Sequence, residues 1–312
     1  MLQCLRVGVA ASLACGLLPV AAQETNASKV VPPRQSQTFA DETSQSPQSL
    51  AASEADLKSK AARPDVAPAD LYQLGLVLRL EHKYKDSLEV YTRAAAAQQP
   101  EPIQLRSVAL DYVQLNDYAD AIHWLRIALG MQPENVDILY SLGRCFFAQN
   151  DLVHAEAAFT RVLQLQPDHL KAEENLGLTY DGENKPRLAE QALRTAAEWA
   201  EKRSLKDEWP YIDLGTLLLD QSRAADATPI LQKAVATAPQ SAPAHEKLGR
   251  ALLESGKPAD AVPELQKATN LDPQDAKAHF ELGRAYRDAG QAERARVEFD
   301  LCKKLYGTHN QD

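Results

Sequence analysis

Cysteine is scarce in this sequence, which has four in 312 residues. Two of them lie within the first 15 positions, so only Cys145 and Cys302 remain in the rest of the chain. So few cysteines exclude a disulfide-stapled scaffold. Aromatic residues are also sparse, at 6%, whereas alanine and leucine recur throughout. That composition favours helices over strands.

Clusters of positive charge are missing as well. The formal net charge is -9, and no block of lysine and arginine suggests a surface that follows phosphates. We therefore do not expect nucleic acid as a partner. Enzyme motifs are missing too, because there is no phosphate loop, dinucleotide turn, nucleophile elbow or paired-histidine zinc helix. The sequence predicts no catalytic, cofactor-binding or metal-binding residues.

Long apolar runs are confined to the start of the chain. Arg6 precedes an uncharged stretch of about 16 residues, short of the roughly 20 that span a membrane. Small residues up to Ala22 suit signal-peptidase cleavage. We predict a signal peptide at 1–22 and a periplasmic or secreted protein. The alternatives are an outer-membrane lipoprotein, lipidated at Cys15, and an uncleaved anchor, and we expect membrane attachment only in those two cases.

The next segment is rich in serine, glutamine and proline. It runs over 23–67 and shows no apolar periodicity. Such a composition cannot bury enough surface to offset the loss of chain entropy. We predict a disordered linker.

Beyond this linker, an apolar residue followed by a small one recurs at a nearly fixed step. The step is 34 residues, except for one of 38 between Gly177 and Gly215. Another small residue follows 12 positions later, and a bulky apolar residue follows 16 positions later. Self-similarity at this period predicts a repeat architecture. The recurring pairs are Leu74-Gly75, Val108-Ala109, Leu142-Gly143, Leu176-Gly177, Leu214-Gly215, Leu248-Gly249 and Leu282-Gly283.

Each 34-residue unit has the pattern of a helical hairpin. Small residues at its eighth and twentieth places let two helix backbones approach closely, and turn segments such as "QNDL" and "DAGQ" separate them. Proline ends four of the units, where it prevents the second helix from continuing. These prolines are Pro133, Pro167, Pro239 and Pro273.

These residues and spacings closely resemble the tetratricopeptide repeat family. The resemblance implies an all-α fold, a right-handed superhelical solenoid of stacked helix–turn–helix hairpins over 68–309. The fourth unit departs most, with Glu201 in place of the closing proline and four extra residues, so we expect its second helix to run long. The seven units are 68–101, 102–135, 136–169, 170–203, 208–241, 242–275 and 276–309.

In this family the first helices line a concave surface that binds peptides or helices. Places two, five, nine, twelve and thirteen of each unit share that face. Arginine and aromatic residues there are typical of binding hot spots. Alternatively, the arginines pair with acids of their own helix and the aromatic residues pack between repeats. The candidate partner-binding residues are Tyr72, Leu76, Arg106, Tyr140, Arg144, Phe147, Trp209, Ile212, Arg250, Phe280, Arg284 and Arg287.

Two octets, "AHEKLGRA" at 244 and "AHFELGRA" at 278, have the appearance of a duplicated site. We expect His245 and His279 to be packing residues with satisfied ring nitrogens, since no cysteine or carboxylate pattern converges on them. The last unit is followed by no polar capping helix in this sequence. Either its second helix is its own cap, or its face forms a homo-oligomer.

The sequence therefore predicts an exported scaffold that binds a protein or peptide partner and catalyses no reaction. The alternative is a lipid-anchored component of a cell-envelope assembly, such as secretion, pilus or outer-membrane machinery.

Overall fold

A computed structural model describes residues 47–309, and every regular element in that range is an α-helix. The signal peptide predicted at 1–22 and the linker up to residue 46 lie outside the described residues. The helices are α1 (Pro47–Ala61), α2 (Pro68–Leu80), α3 (Tyr84–Ala97), α4 (Pro102–Gln114), α5 (Tyr118–Met131), α6 (Val136–Ala148), α7 (Leu152–Leu165), α8 (Leu170–Gly182), α9 (Pro186–Lys202), α10 (Trp209–Asp220), α11 (Ala224–Thr237), α12 (Ala242–Glu254), α13 (Pro258–Leu271), α14 (Ala276–Asp288) and α15 (Ala292–His309).

The turn inside each hairpin depends on one residue with left-handed backbone. This residue is the fifteenth of every unit, with φ between 58° and 77°. In the second hairpin, Asn116 N–H donates to the Val113 carbonyl, and Asp117 N–H donates to the Tyr112 carbonyl at 2.8 Å. These bonds satisfy the carbonyls that the end of a helix leaves open. The left-handed residues are His82, Asn116, Asn150, Asn184, Ser222, Gly256 and Gly290.

The two helices of a hairpin touch most closely at the eighth place. In α12 this place is Gly249, and a Cβ atom built on it would lie only 2.4 Å from Cγ of Leu265 in α13. The equivalent distance from Gly215 to Cγ of Leu231 is 2.5 Å. Both leucines are fully buried. At Gly215 and Gly249, a side chain larger than hydrogen therefore requires the helices to separate or the leucine to move.

The chain divides between Ala158 and Phe159 into two compact parts, each containing several 34-residue hairpins. We call these two parts the first unit and the second unit, and a single repeat a hairpin. In the described part of the first unit, α3 packs on α4 and α5 packs on α6. In the second unit, α9 packs on α10, α11 on α12 and α13 on α14. Within each unit, a second helix is thus covered by the first helix of the following hairpin. This confirms the predicted all-α class of stacked helical hairpins.

The linker prediction was wrong for its last part, because residues 47–61 form helix α1. Its buried side consists mainly of Leu57 and Ala61, too few apolar residues to give a periodic signal in the sequence. The rest of the helix is mostly alanine, serine and charged residues, several of which are good helix formers. Contact with α2 stabilises this short helix, which would be marginal alone.

Two polar contacts attach α1 to the first hairpin. Arg93 of α3 donates a hydrogen bond from Nη2 to the carbonyl of Ala61 at 2.9 Å. Lys83, in the turn before α3, forms an ion pair with Glu54 at 2.7 Å. Helix α1 therefore packs on α2 in the same way as α3 packs on α4, the first helix of the following hairpin.

Helix α9 runs three residues longer than α7, α11 or α13, as predicted for the fourth unit. It continues to Lys202, and Ser204 then adopts a left-handed φ of 52°. Trp199 and Trp209, on either side of the irregular segment, are partly buried against the core of the second unit. Packing is therefore their principal role.

We predict that Gly249→Ala destabilises the protein by about 1–3 kcal/mol, because the added methyl overlaps Leu265. The intrinsic gain in helix propensity, up to about 1 kcal/mol, is too small to compensate. Gly130→Ala is the matched control, since Gly130 lies in α5 and a Cβ atom added to it would meet no neighbouring group within 4 Å. Urea unfolding should show Gly130→Ala as neutral or stabilising. Equal effects of the two substitutions would contradict the close-contact explanation.

Candidate binding surface

First helices of neighbouring hairpins contact each other within each unit. Helix α2 contacts α4 in the first unit, and α8, α10, α12 and α14 form a contacting series in the second. We call the side of these helices formed by places two, five, nine, twelve and thirteen the first-helix face. Most of the candidate residues lie on it, but their accessibility differs.

In the first unit, the first-helix face exposes apolar side chains. Leu76 of α2 is 37% exposed, and Ile103 of α4 is 61% exposed. Arg106, one turn after Ile103, is half-buried and donates a hydrogen bond from Nε to Ser141 Oγ at 3.2 Å. Ile103 was not among the sequence candidates, although its second place in the unit is one of the five that define the face.

Three further candidates of the first unit are half-buried, namely Tyr140, Arg144 and Phe147 of α6. Each is partly accessible to solvent. Leu76 is therefore exposed on the first-helix face, and Arg106 and these three residues are partly exposed there.

Tyr72 does not fit the prediction. Its side chain is buried, its hydroxyl donates to the carbonyl of Gln98 at 2.7 Å, and its ring lies 6.1 Å from that of Tyr91. Those partners belong to its own hairpin, and Tyr72 also lines a small cavity together with Gln104 and Leu105 of the next hairpin, so it packs between repeats. This is the alternative that the sequence left open for the aromatic residues.

In the second unit, Ile212 is also buried rather than exposed. Trp209 is half-buried and packs against the core of that unit. Phe280 of α14, by contrast, is 45% exposed. Within the second unit, the fifth place of a hairpin is therefore buried at Ile212 and exposed at Phe280.

The arginines of the second unit pair with nearby acids. Arg250 donates from Nε to Glu254 at 2.8 Å, and its Nη2 lies 3.4 Å from Asp220. Arg284 pairs with Glu281 of the same helix at 2.8 Å.

Arg287 pairs with its neighbour Asp288, also at 2.8 Å. The alternative interpretation, in which these arginines pair with acids of their own helices, is therefore correct for all three. They do not form an unneutralised cationic surface on the first-helix face.

Further buried charges lie among these pairs. Glu246 is buried and accepts from Lys247 at 2.7 Å, while Lys277 lies 3.5 Å from its other oxygen. Burial raises the pKa of Glu281, and the Glu246 carboxylate shifts it in the same direction. Burial also lowers the pKa of Lys247. Any ligand at this part of the face would have to compete with an existing network of ion pairs.

The two octet histidines pack as predicted. Nδ1 of His245 lies 2.7 Å from Glu264 Oε2, and its Nε2 lies 3.1 Å from the carbonyl of Pro239. His279 repeats this arrangement with Glu298 at 2.7 Å and the carbonyl of Pro273 at 3.3 Å. Each ring joins the second helix of its hairpin to the preceding turn. Both nitrogens are satisfied, which confirms the structural interpretation.

The two described cysteines are buried free thiols. Burial raises the pKa of Cys145 to about 12 and also raises that of Cys302. A thiol with so high a pKa is a poor nucleophile near neutral pH. Over residues 47–309, no group of three or more histidine, cysteine, aspartate or glutamate side chains could hold a metal ion. Over the same range, no helix is both long and apolar enough to cross a membrane.

Arg79, on the twelfth place of α2, lies in the core rather than on the surface. Its Nε is 3.6 Å from Oδ1 of the buried Asp111 in α4. Ser87 Oγ lies 2.6 Å from the other carboxyl oxygen and 2.8 Å from the carbonyl of Gly75. Burial raises the pKa of Asp111 to about 7, against the opposing effects of Ser87 and Arg79. The contact between the first two hairpins therefore contains a carboxyl group that titrates near neutral pH.

The geometry defines a repeat protein built from stacked helical hairpins. A family model, the tetratricopeptide repeat, matches residues 109–170, 212–268 and 246–301. The chain belongs to the tetratricopeptide repeat family. Proteins of this family bind protein or peptide partners, and the fold is typically a non-catalytic interaction scaffold.

One curated relative is BBS4, a BBSome complex member of Xenopus tropicalis, with 28% identity over 102 residues. The match covers 33% of this chain and only 20% of that protein, so the chain spans about a fifth of the relative's length.

Solved structures with the same fold include a tetratricopeptide repeat protein from Parabacteroides merdae. It is 19% identical, with a TM-score of 0.61, and the alignment covers 76% of this chain and 93% of that one. PilW, a type IV pilus biogenesis factor, is 19% identical with a TM-score of 0.58, covering 68% and 94%. Similarity at these identities shows the fold alone.

We predict that Asp111→Asn makes the free energy of unfolding less dependent on pH. A carboxyl whose pKa rises from about 3.9 in the unfolded chain to about 7 on folding stabilises the fold fully below pH 4. That contribution is lost as pH rises through 7. Relative to wild type, the asparagine variant should gain on the order of a few kcal/mol between pH 4 and 8. Urea unfolding across this range measures the difference, and parallel pH profiles would refute the assignment.

Proposed function

We propose that this protein is an exported interaction scaffold that binds a peptide or helical partner on the first-helix face of its first unit. The observation that carries the proposal is the exposure of Leu76 and Ile103 on two contacting first helices. Large apolar side chains exposed on adjacent elements mark interaction surfaces more often than single exposed ones.

The residues around this apolar pair support the same proposal. Arg106 is half-buried beside Ile103, and its aliphatic stem can pack on a ligand while its guanidinium binds a carboxylate or carbonyl. Tyr140 and Phe147 on α6 add aromatic surface that is partly accessible. An apolar anchor with one hydrogen-bond acceptor nearby is the ligand chemistry that fits these side chains. The second unit is a poorer candidate because its arginines already pair with acids.

Export is part of the proposal and rests on the sequence. The charged start, the short apolar run and the small residues before Gln23 suit cleavage after Ala22, which places the scaffold in the periplasm or outside the cell. Lipidation at Cys15 is the alternative and would make the protein part of a membrane-attached envelope assembly.

Mass spectrometry of the mature protein purified from its own cells distinguishes these two routes. Export by cleavage predicts an N-terminus at Gln23. A mature protein that begins at a lipidated Cys15 would support the membrane-anchored alternative instead. An intact N-terminus that begins at Met1 would contradict both.

The binding surface can be tested with peptides selected from a random display library against the full-length protein. We expect Ile103→Asp to weaken binding of the selected peptides by about tenfold or more, because a buried anchor contributes at least about 1–2 kcal/mol. Isothermal titration calorimetry measures the change, and circular dichroism confirms that helicity is retained.

Val153→Asp is the matched control. Val153 is also β-branched and is 72% exposed, but it lies on the second helix α7. It should leave peptide affinity within about twofold of wild type. If Val153→Asp weakens binding as much as Ile103→Asp, or if neither does, the first-helix face of this unit is not the binding surface.

A further inference from the structure

The outer side of the last hairpin differs from the same side of the hairpins before it. Phe280 is 45% exposed, whereas the residues at the same place in α10 and α12, Ile212 and Glu246, are buried. Phe299 of α15 is half-buried, whereas Leu265 at the same place of α13 is fully buried. The hairpins of α10 and α12 are each covered by the next first helix, α12 or α14. No helix follows α15 within residues 47–309.

The residues around the two phenylalanines also change in character. At the twelfth place Arg287 replaces the buried Leu219 and Leu253 of α10 and α12. At the twenty-first place Arg296 stands where α13 has Val262. At the twenty-eighth place Lys303 stands where α13 has the buried Thr269. All three cationic residues are exposed. The places that are buried or half-buried and uncharged in α12 and α13 therefore carry positive charge in the last hairpin.

Aromatic side chains accompany this charge. The rings of Phe280 and Phe299 lie 5.8 Å apart, and Tyr306 of α15 is 57% exposed. We call this surface the C-terminal end face, and it consists of Phe280, Arg287, Arg296, Phe299, Lys303 and Tyr306.

Charge decides which occupant fits this face. Asp288 already pairs with Arg287, so the charge available to a ligand is that of Arg296 and Lys303, with the exposed Asp300 between them in sequence. A second copy docked by a two-fold axis would bring Arg296 and Lys303 close to their own equivalents, which is unfavourable. A face that served only as a solvated cap would not need exposed phenylalanine and tyrosine. A ligand with an apolar surface edged by carboxylates matches both the exposed aromatic side chains and the positive charge of this face.

We propose that the C-terminal end face binds an acidic amphipathic helix of a protein partner. The helix would occupy the position on α15 that α14 occupies on α13. Its apolar side packs on Phe280 and Phe299, and its carboxylates pair with Arg296 and Lys303. This surface is separate from the first-helix face of the first unit, and its occupancy does not depend on the function proposed there.

A peptide from this chain provides a suitable probe. Residues 207–220, DEWPYIDLGTLLLD, include the first helix α10, which packs on the second helix α9 in the intact protein. The peptide has four acidic residues and no basic ones. A control peptide replaces each Asp and Glu by Asn and Gln, which keeps the shape and removes the charge. Both are labelled and titrated with the full-length protein by fluorescence anisotropy.

We expect the acidic peptide to bind about tenfold or more tightly than the neutral one, and its affinity to fall as salt is raised. Lys303→Glu should weaken it by about tenfold, and Phe280→Ala should also weaken it. Lys304→Glu is the matched control, because it makes the same charge change on the next residue, at a place that is exposed in all seven hairpins. It should leave affinity within about twofold, as should Ile103→Asp on the first-helix face.

Four results would overturn the proposal. Equal binding of the acidic and neutral peptides, or equal loss in the Lys303→Glu and Lys304→Glu proteins, would show that the end face does not select carboxylates. Sedimentation with phosphatidylglycerol vesicles that depends on Lys303, without competition by the acidic peptide, would assign the face to an anionic membrane. A dimer in analytical ultracentrifugation that Phe280→Ala abolishes would assign it to a second copy. Melting temperatures near that of wild type confirm that the variants are folded.

Discussion

Contact between a glycine and a buried leucine sets the spacing of the two helices in the hairpins of Gly177, Gly215 and Gly249. Gly215 and Gly249 lie so close to Leu231 and Leu265 that a single methyl group would overlap them. The separation of the two helices then fixes which of their other side chains reach the next hairpin. Equivalent contacts occur between Gly75 and Tyr91 and between Gly283 and Phe299, whereas the second hairpin has Ala109 at this place. Substitutions at the eighth place are therefore expected to affect the stack more than most changes at its surface.

Much of this arrangement could be predicted from the sequence because the determinants are local and repeated. The pairs of leucine and glycine, the turn segments and the closing prolines each indicate part of a hairpin, and their recurrence removes the ambiguity of any single copy. The roles of His245 and His279 could also be predicted from their places in the unit. Helix α1 could not, because it occurs once and has only two buried apolar residues, Leu57 and Ala61.

The candidate surface was harder to predict because exposure depends on which neighbour covers a place. The fifth place is buried at Tyr72 and Ile212 but exposed at Phe280, although all three have the same position in the unit. The pairing of the arginines depends on acids that lie one turn away or on another helix, as Asp220 does for Arg250. Periodicity identifies the helical face of a residue. It does not show whether that face is covered or whether its charge is already neutralised.

The segment after α9 has a consequence for how the chain can vary. Residues 201–206 are all exposed, and the usual step of 34 residues becomes 38 there. The additional residues lengthen α9 at its end and the connection that follows it over 203–208, so they displace no glycine from the leucine it faces. An exposed connection between hairpins tolerates insertion better than the short turn that holds the two helices of one hairpin together. A fluorescent reporter or an affinity tag could be inserted there with both neighbouring hairpins left intact.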